Sequence, residues 1–270
     1  MKVAFLGGGN MASAMIGGLL AKGWQASQII AVDIDEAARA RLEREFGVST
    51  TADAVQAVRQ AECVLFAVKP QQMRTVAAQV APDVAGRLVI SIAAGIRTGD
   101  LARWLKGHAR IVRVMPNTPA LLRAGISAAF PTAAVSPSDR MFTDDLLGAV
   151  GKVLWLDDES QMDGVTAVSG SGPAYIFYLI EAMEAAAADL GFAPEAARLL
   201  ALETTLGAAR LAASSPDSAA VLRARVTSKG GTTERAVNIL DARDVKSHVR
   251  EAIRGAAERS RELGDQFGRD

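Results

Sequence analysis

Cysteine occurs once, at Cys63, inside the apolar run AECVLFAV. A lone thiol excludes a disulfide framework within the chain and fits a reducing compartment. No histidine or second cysteine is near it in sequence, so it reads as a buried strand thiol rather than a nucleophile. Histidine is almost as scarce, with His108 and His248 the two present. Neither stands in the clusters described below, which argues against chemistry needing a histidine base or a His/Cys/carboxylate metal set. Charge of one sign is lacking too. Lys and Arg total 30, and so do Asp and Glu, so nothing favours nucleic acid or an anionic membrane as partner. Glu or Arg interrupts the most apolar helical patterns well short of the roughly 20 residues a membrane span requires. The opening MKVAFLGGGN passes from a short apolar run straight into glycines, without the longer run and small-residue cleavage site of a signal peptide. The expectation is a soluble cytoplasmic protein.

What the chain does have is length and apolar material: 270 residues, 50% hydrophobic, enough for two domains. Short apolar runs at 2–6, 29–32, 63–68, 88–92, 111–115, 125–130 and 153–156 alternate with helical patterns such as 10–22 and 35–46. The runs are nearly all apolar rather than alternating, as in parallel strands covered on both faces. After about 163 no strand pattern remains. Helices are predicted over 173–190, 194–213, 218–226, 234–240 and 245–267. The fold class is therefore α/β. A Rossmann-type, mainly parallel sheet domain over 1–162 is followed by an all-helical domain over 163–270. The 173–190 helix is apolar on almost every side, and a domain of that size has limited interior to offer it. It is expected to pack against a second subunit.

The segment VAFLGGGNMASAM sets Gly7-x-Gly9-x-x-Ala12 between a strand and a helix start. Gly7 permits the tight turn, Gly9 lets a pyrophosphate approach the backbone, and Ala12 allows close helix–strand packing. The helix N-terminus offers free N–H groups and partial positive charge. Asp33 ends the second strand, about 20 residues on, where an acid accepts ribose hydroxyls and repels a 2′-phosphate. Arg39 and Arg41 follow on the next helix and could instead face a phosphate, and Asp33 and Asp35 could also cap that helix. Val68, Lys69 and Pro70, then Ala93 and Ala94, then Met115, Pro116 and Asn117 stand at later strand ends, the floor on which a dinucleotide lies.

A second cluster, VTSKGGTTERA at 226–236, puts two glycines between hydroxyl residues ahead of a helix. Successive N–H groups in such a turn form an anion nest suited to a carboxylate, with Ser228, Thr232 and Thr233 adding hydrogen bonds. With no general base at hand, hydride addition to a protonated imine fits better than alcohol oxidation.

Taken in order, FLGGGNMA, AVKPQ, SIAAG, RVMPNTPA, SGSGPAY and VTSKGGTTERA resemble the pyrroline-5-carboxylate reductases across essentially the whole chain. The resemblance implies reduction of 1-pyrroline-5-carboxylate to L-proline by NADPH or NADH, the final step of proline biosynthesis. It implies a C-terminal domain that forms an interleaved homodimer, which in turn can assemble into a decamer. It assigns cofactor contacts to Leu6, Gly7, Gly8, Gly9, Asn10, Met11, Val68, Lys69 and Pro70, and brings Arg225 toward the cofactor. Ser228, Gly231, Thr232 and Thr233 would hold the substrate carboxylate, with the Thr233 hydroxyl near the ring nitrogen as the catalytic group. Glu159 would line the proline site. Lys229 stands where many members have proline, and Asp33 leaves the cofactor choice open. Two alternatives are a β-hydroxyacid-type dehydrogenase and a non-catalytic dinucleotide sensor. The first would need a lysine in the helical domain, yet none occurs between Lys152 and Lys229. The second leaves the GGTT segment without a role.

Overall fold

The computed structural model describes residues 1–269. It divides into two compact units, Met1–Ser171 together with the stretch from Gly255 onward, and Gly172–Arg254.

The first unit is built on an eight-stranded sheet. Its strands are β1 (Val3–Leu6), β2 (Ile29–Val32), β3 (Ser49–Thr51), β4 (Cys63–Phe66), β5 (Leu88–Ser91), β6 (Ile111–Met115), β7 (Gly125–Pro131) and β8 (Gly151–Trp155). They lie in the order β3-β2-β1-β4-β5-β6-β7-β8. The first six are parallel. β7 runs antiparallel to β6, with Met115 opposite Ala128, and β8 is parallel to β7. β1, β2, β4 and β5 are buried at every position, which accounts for sequences that are apolar except at Ser91.

Helices cover both faces of this sheet. They are α1 (Asn10–Ala21), α2 (Glu36–Phe46), α3 (Ala54–Arg59), α4 (Pro70–Val80), α5 (Thr98–Trp104) and α6 (Pro137–Leu147). One core packs Phe5, Met15, Ile16, Leu42 and Leu147 together, and the other packs Leu6, Phe66, Met73, Val80 and Leu101. Each such side chain, fully withdrawn from water, contributes about 1.5–3 kcal/mol. The strand order reverses between β1 and β4. A switch point of this kind leaves a crevice at the carboxyl ends of the strands.

The second unit contains α8 (Gly172–Asp189), α9 (Pro194–Ser214), α10 (Ala219–Arg225) and α11 (Thr232–Ala242). α7 (Met162–Val165) precedes it and runs into a widened turn over Thr166–Gly170, closed by the Ser171 N–H on the Thr166 carbonyl at 2.8 Å. α12 (Val245–Gly268) starts in the helical unit and ends in the sheet unit. There Ser260 donates to Asp163 at 2.7 Å and Arg97 pairs with Asp265 at 2.7 Å. The packing units thus part near 171 rather than at 162/163, and the last turns of α12 belong with the sheet. α8 has no buried residue. Phe177 is 59% exposed and Tyr178 is 76% exposed, although both carry large aromatic rings. Within one chain, the helix expected to be buried on all sides is covered on none of them fully.

Candidate active site

The crevice at the switch point is a cleft of about 1110 Å³, lined by the glycine turn after β1, the end of β2 and the start of α4. Gly7 has φ +108°, and a Cβ there would stand 2.7 Å from the Ala67 carbonyl oxygen, so only glycine fits. Its N–H donates to the Val32 carbonyl at 2.8 Å, which joins the turn to β2. Gly9 is the opposite case. It has an ordinary extended conformation, and a Cβ would meet nothing within 4 Å. Gly9 is also the N-cap of α1 and supplies no side-chain cap. The first-turn N–H groups of α1 therefore open onto clear space. That is the cradle a diphosphate needs: free donors, the positive end of a helix dipole and no side chain in the way. A dinucleotide fits these residues.

Leu6, Gly7, Gly8, Gly9, Asn10, Asp33, Val68 and Lys69 all line the cleft. Other residues expected at the cofactor do not. The Met11 side chain packs on the core, and Pro70 is the first residue of α4. Ala93 is buried and Ala94 exposed in the loop after β5. Asn117 is committed to the fold. Its Oδ1 accepts the Ile126 N–H at 2.9 Å, and its Nδ2 donates to the Ser169 carbonyl at 3.3 Å. It pins the loop after β6 to the β7 edge and to the turn before α8.

At the end of β2, Asp33 Oδ2 accepts the Gly8 N–H at 2.8 Å, and Oδ1 accepts the Asp35 N–H at 2.9 Å. Asp35 itself caps α2 through the Ala37 N–H. The capping role thus falls to Asp35, while Asp33 ties the glycine turn to the end of β2. Arg41 lines the cleft and donates to the Gly8 carbonyl at 2.9 Å. Arg39 instead donates to the carbonyls of Asp33 and Ile34, at 2.9 and 3.1 Å.

Glu159 is engaged on both oxygens. Oε1 accepts the Thr98 N–H at 2.8 Å and an Arg113 N–H at 3.0 Å, while Oε2 accepts the Thr98 hydroxyl at 2.6 Å. It braces the start of α5 and the middle of β6 from the turn after β8. No sequence pattern marks this role, because Thr98 and Arg113 are far away along the chain. Cys63 is fully buried in β4, and burial pushes its thiol well above the usual range. It is a core side chain.

In the helical unit, the 226–233 segment forms a tight entry to α11. Gly230 has φ +73°. A Cβ on Gly231 would lie 2.6 Å from Ser228 Oγ. Two N–H groups of the expected nest are already taken. Gly230 N–H donates to the Glu234 carboxylate at 2.7 Å, and Gly231 N–H to the Ser228 carbonyl at 3.1 Å. The donors left at the turn are the first-turn N–H groups of α11, beginning at Thr232 and Thr233, because Gly231 supplies no side-chain cap. The hydroxyls of Ser228, Thr232 and Thr233 stand on the same short turn. Arg225 forms an ion pair with Asp217 at 2.5 Å.

A mainly parallel sheet with an uncapped, glycine-entered helix in its switch-point cleft defines a dinucleotide-binding unit of the Rossmann class. Residues 2–95 match the family model described as NADP oxidoreductase, coenzyme F420-dependent. Residues 159–263 match the model described as pyrroline-5-carboxylate reductase dimerisation. The chain is similar to the pyrroline-5-carboxylate reductase of Pseudomonas aeruginosa, with 47% identity over 268 residues, covering 99% of this chain and 98% of that one. Among solved structures it is similar to the Coxiella burnetii pyrroline-5-carboxylate reductase, with TM-score 0.93 and 38% identity over 97% of this chain and 98% of that one. The Plasmodium falciparum enzyme, solved with NADP bound, has TM-score 0.88 and 26% identity over 98% of each chain. The chain belongs to the pyrroline-5-carboxylate reductase family.

Proposed function

We propose that this chain reduces 1-pyrroline-5-carboxylate to L-proline with NADPH or NADH, as the final step of proline biosynthesis. The observation that carries the reading is the pairing, in one chain of this family, of two uncapped helix N-termini. α1 opens into a dinucleotide-sized cleft, and α11 opens beside three hydroxyl side chains.

Each unit has its own task. The glycine turn and the first turn of α1 hold the diphosphate, and Asp33 meets the adenosine ribose. The bound dinucleotide supplies the hydride. The N–H groups of Thr232 and Thr233, with the hydroxyls of Ser228, Thr232 and Thr233, hold the substrate carboxylate against the positive end of α11. Thr233 also orients the ring nitrogen. The substrate is a protonated cyclic imine, so hydride addition at its carbon gives the secondary amine of proline directly. No general base is required, and the residues act by positioning.

By function, we divide the chain into a cofactor part over 1–162 and a substrate and dimerisation part over 163–270, a reading supported by one family match within 2–95 and another over 159–263. The exposed apolar face of α8 supports a homodimer, and a decamer of such dimers is the assembly we infer. We assign the protein to the cytoplasm, on the strength of its lone buried thiol. Among the described residues no helix is long and apolar enough to cross a membrane. The test is to mix purified chain with 1-pyrroline-5-carboxylate and NADH or NADPH, and to follow loss of nicotinamide absorbance. Oxidation of either nucleotide with formation of proline supports the reading, and the absence of both removes it.

A further inference from the structure

We infer that Asp33 makes this chain select the nucleotide without a 2′-phosphate, so that NADH is preferred over NADPH. The inference rests on the dinucleotide reading of the switch-point cleft and goes beyond it, because that reading admits either nucleotide.

The argument starts from what Asp33 can still accept. Its two oxygens each take one backbone N–H, from Gly8 and Asp35. A carboxylate oxygen has two lone-pair sites, so each oxygen keeps one for a further donor. Vicinal ribose hydroxyls supply two donors at that spacing. A 2′-phosphate replaces one of them with acceptor oxygens carrying negative charge, for which the carboxylate has nothing to offer. The two backbone hydrogen bonds also fix the carboxylate in place. A Cβ built on Gly8 would lie 3.2 Å from Asp33 Oδ2, so the carboxylate stands directly over the glycine turn. It cannot swing aside without giving up its Gly8 bond.

The nearby cations do not reverse this sign. Arg39 does not line the cleft, and its guanidinium is spent on the carbonyls of Asp33 and Ile34. Arg41 does line it, but donates to the Gly8 carbonyl and lies 4.0 Å from Glu45. Asp35, also on the cleft wall, adds a second negative charge beside Asp33. Ile34 is 84% exposed at the same rim, an apolar surface available to an adenine ring whichever nucleotide binds.

The test uses the full chain and reads binding as well as turnover. Fluorescence titration gives Kd for NADH and for NADPH, and steady-state assays with 1-pyrroline-5-carboxylate give kcat/KM for each. The expected result is an NADH preference on the order of tenfold or more in both quantities. In Asp33→Asn that ratio should move toward NADPH by a similar factor, mainly through Kd and KM. In Arg41→Ala the ratio should stay in favour of NADH. Tighter binding of NADPH by the parent chain, or an unchanged ratio in Asp33→Asn, would overturn the inference. If neither nucleotide is oxidised, the reductase reading fails, while the titration still decides the preference on its own.

Discussion

Arg113, 6% exposed in the middle of β6, donates to Glu159 Oε1 at 3.0 Å. A buried guanidinium is tolerated only when a carboxylate answers it, and removing that carboxylate strands the charge. Glu159→Ala should therefore destabilise the chain by about 3 kcal/mol, somewhat less than a fully buried pair because Glu159 is partly exposed. Urea denaturation of the variant checks this, and a midpoint equal to the parent's would mean that Arg113 finds another partner.

The glycine turn makes a paired prediction. Gly7→Ala forces a Cβ onto the Ala67 carbonyl at a positive φ, and should lower the melting temperature as well as weaken nucleotide binding. Gly9→Ala meets no protein atom, so its melting temperature should stay close to the parent's. Its methyl group would occupy the space a diphosphate needs, and nucleotide affinity should fall by about tenfold or more. Equal loss of stability in both variants would contradict the cradle described at Gly9.

Thr233→Ala should keep the helical content of the parent and lose about 10- to 100-fold in kcat/KM for 1-pyrroline-5-carboxylate, the range for a hydrogen bond to a charged group. Unchanged kinetics would take Thr233 out of the site.

Acid stability should depend on Asp139. Bidentate hydrogen bonds from Arg110, at 2.8 and 2.5 Å, hold its pKa down from the ordinary 3.8 to about 2, with Ser136 assisting. A carboxyl whose folded pKa lies below its unfolded value adds stability above the unfolded value. It loses that stability as pH falls through the folded one. Between about pH 4 and pH 2 this group should remove about 2 kcal/mol, measured by denaturation at a series of pH values. Asp139→Asn should be less stable at neutral pH and show a flatter acid limb. An identical slope in the variant would exclude the Arg110 pair as its source.

The exposed face of α8 should matter to assembly. Phe177→Glu places a charge on a helix whose Ile176, Phe177, Tyr178 and Leu179 are all exposed in a single chain. Sedimentation should show a smaller species than the parent. A parent-like mass would mean that α8 is not the contact.

Much of this was legible in the sequence, for physical reasons that also explain what was not. β1, β2 and β4 are unbroken apolar runs, β5 and β6 are interrupted by Ser91 and Arg113 alone, and α8 to α12 each fall close to the predicted range. β3 (Ser49–Thr51) carries no apolar residue and is a sheet edge, so periodicity could not find it. The antiparallel course of β7 follows from a turn that only coordinates reveal. The glycine loop was readable because its constraints are local. The brace at Glu159, the pinning of Asn117 and the capture of Gly230 N–H by Glu234 were not. The first two join residues remote in sequence, and the third depends on a rotamer.

The end of α12 gives the chain an unusual connectivity. Residues 172–254 leave the sheet unit at Ser171 and return to it at Gly255, so they form an insert closed at its base. Arg97 and Arg103 hold the returning strand of chain through Asp265 and the Gly268 carbonyl. Cutting the chain at Gly255 would turn a doubly anchored insert into a pendant held at one end. The entropy now confined by that closure would be released, and the helical unit would be free to exchange between molecules.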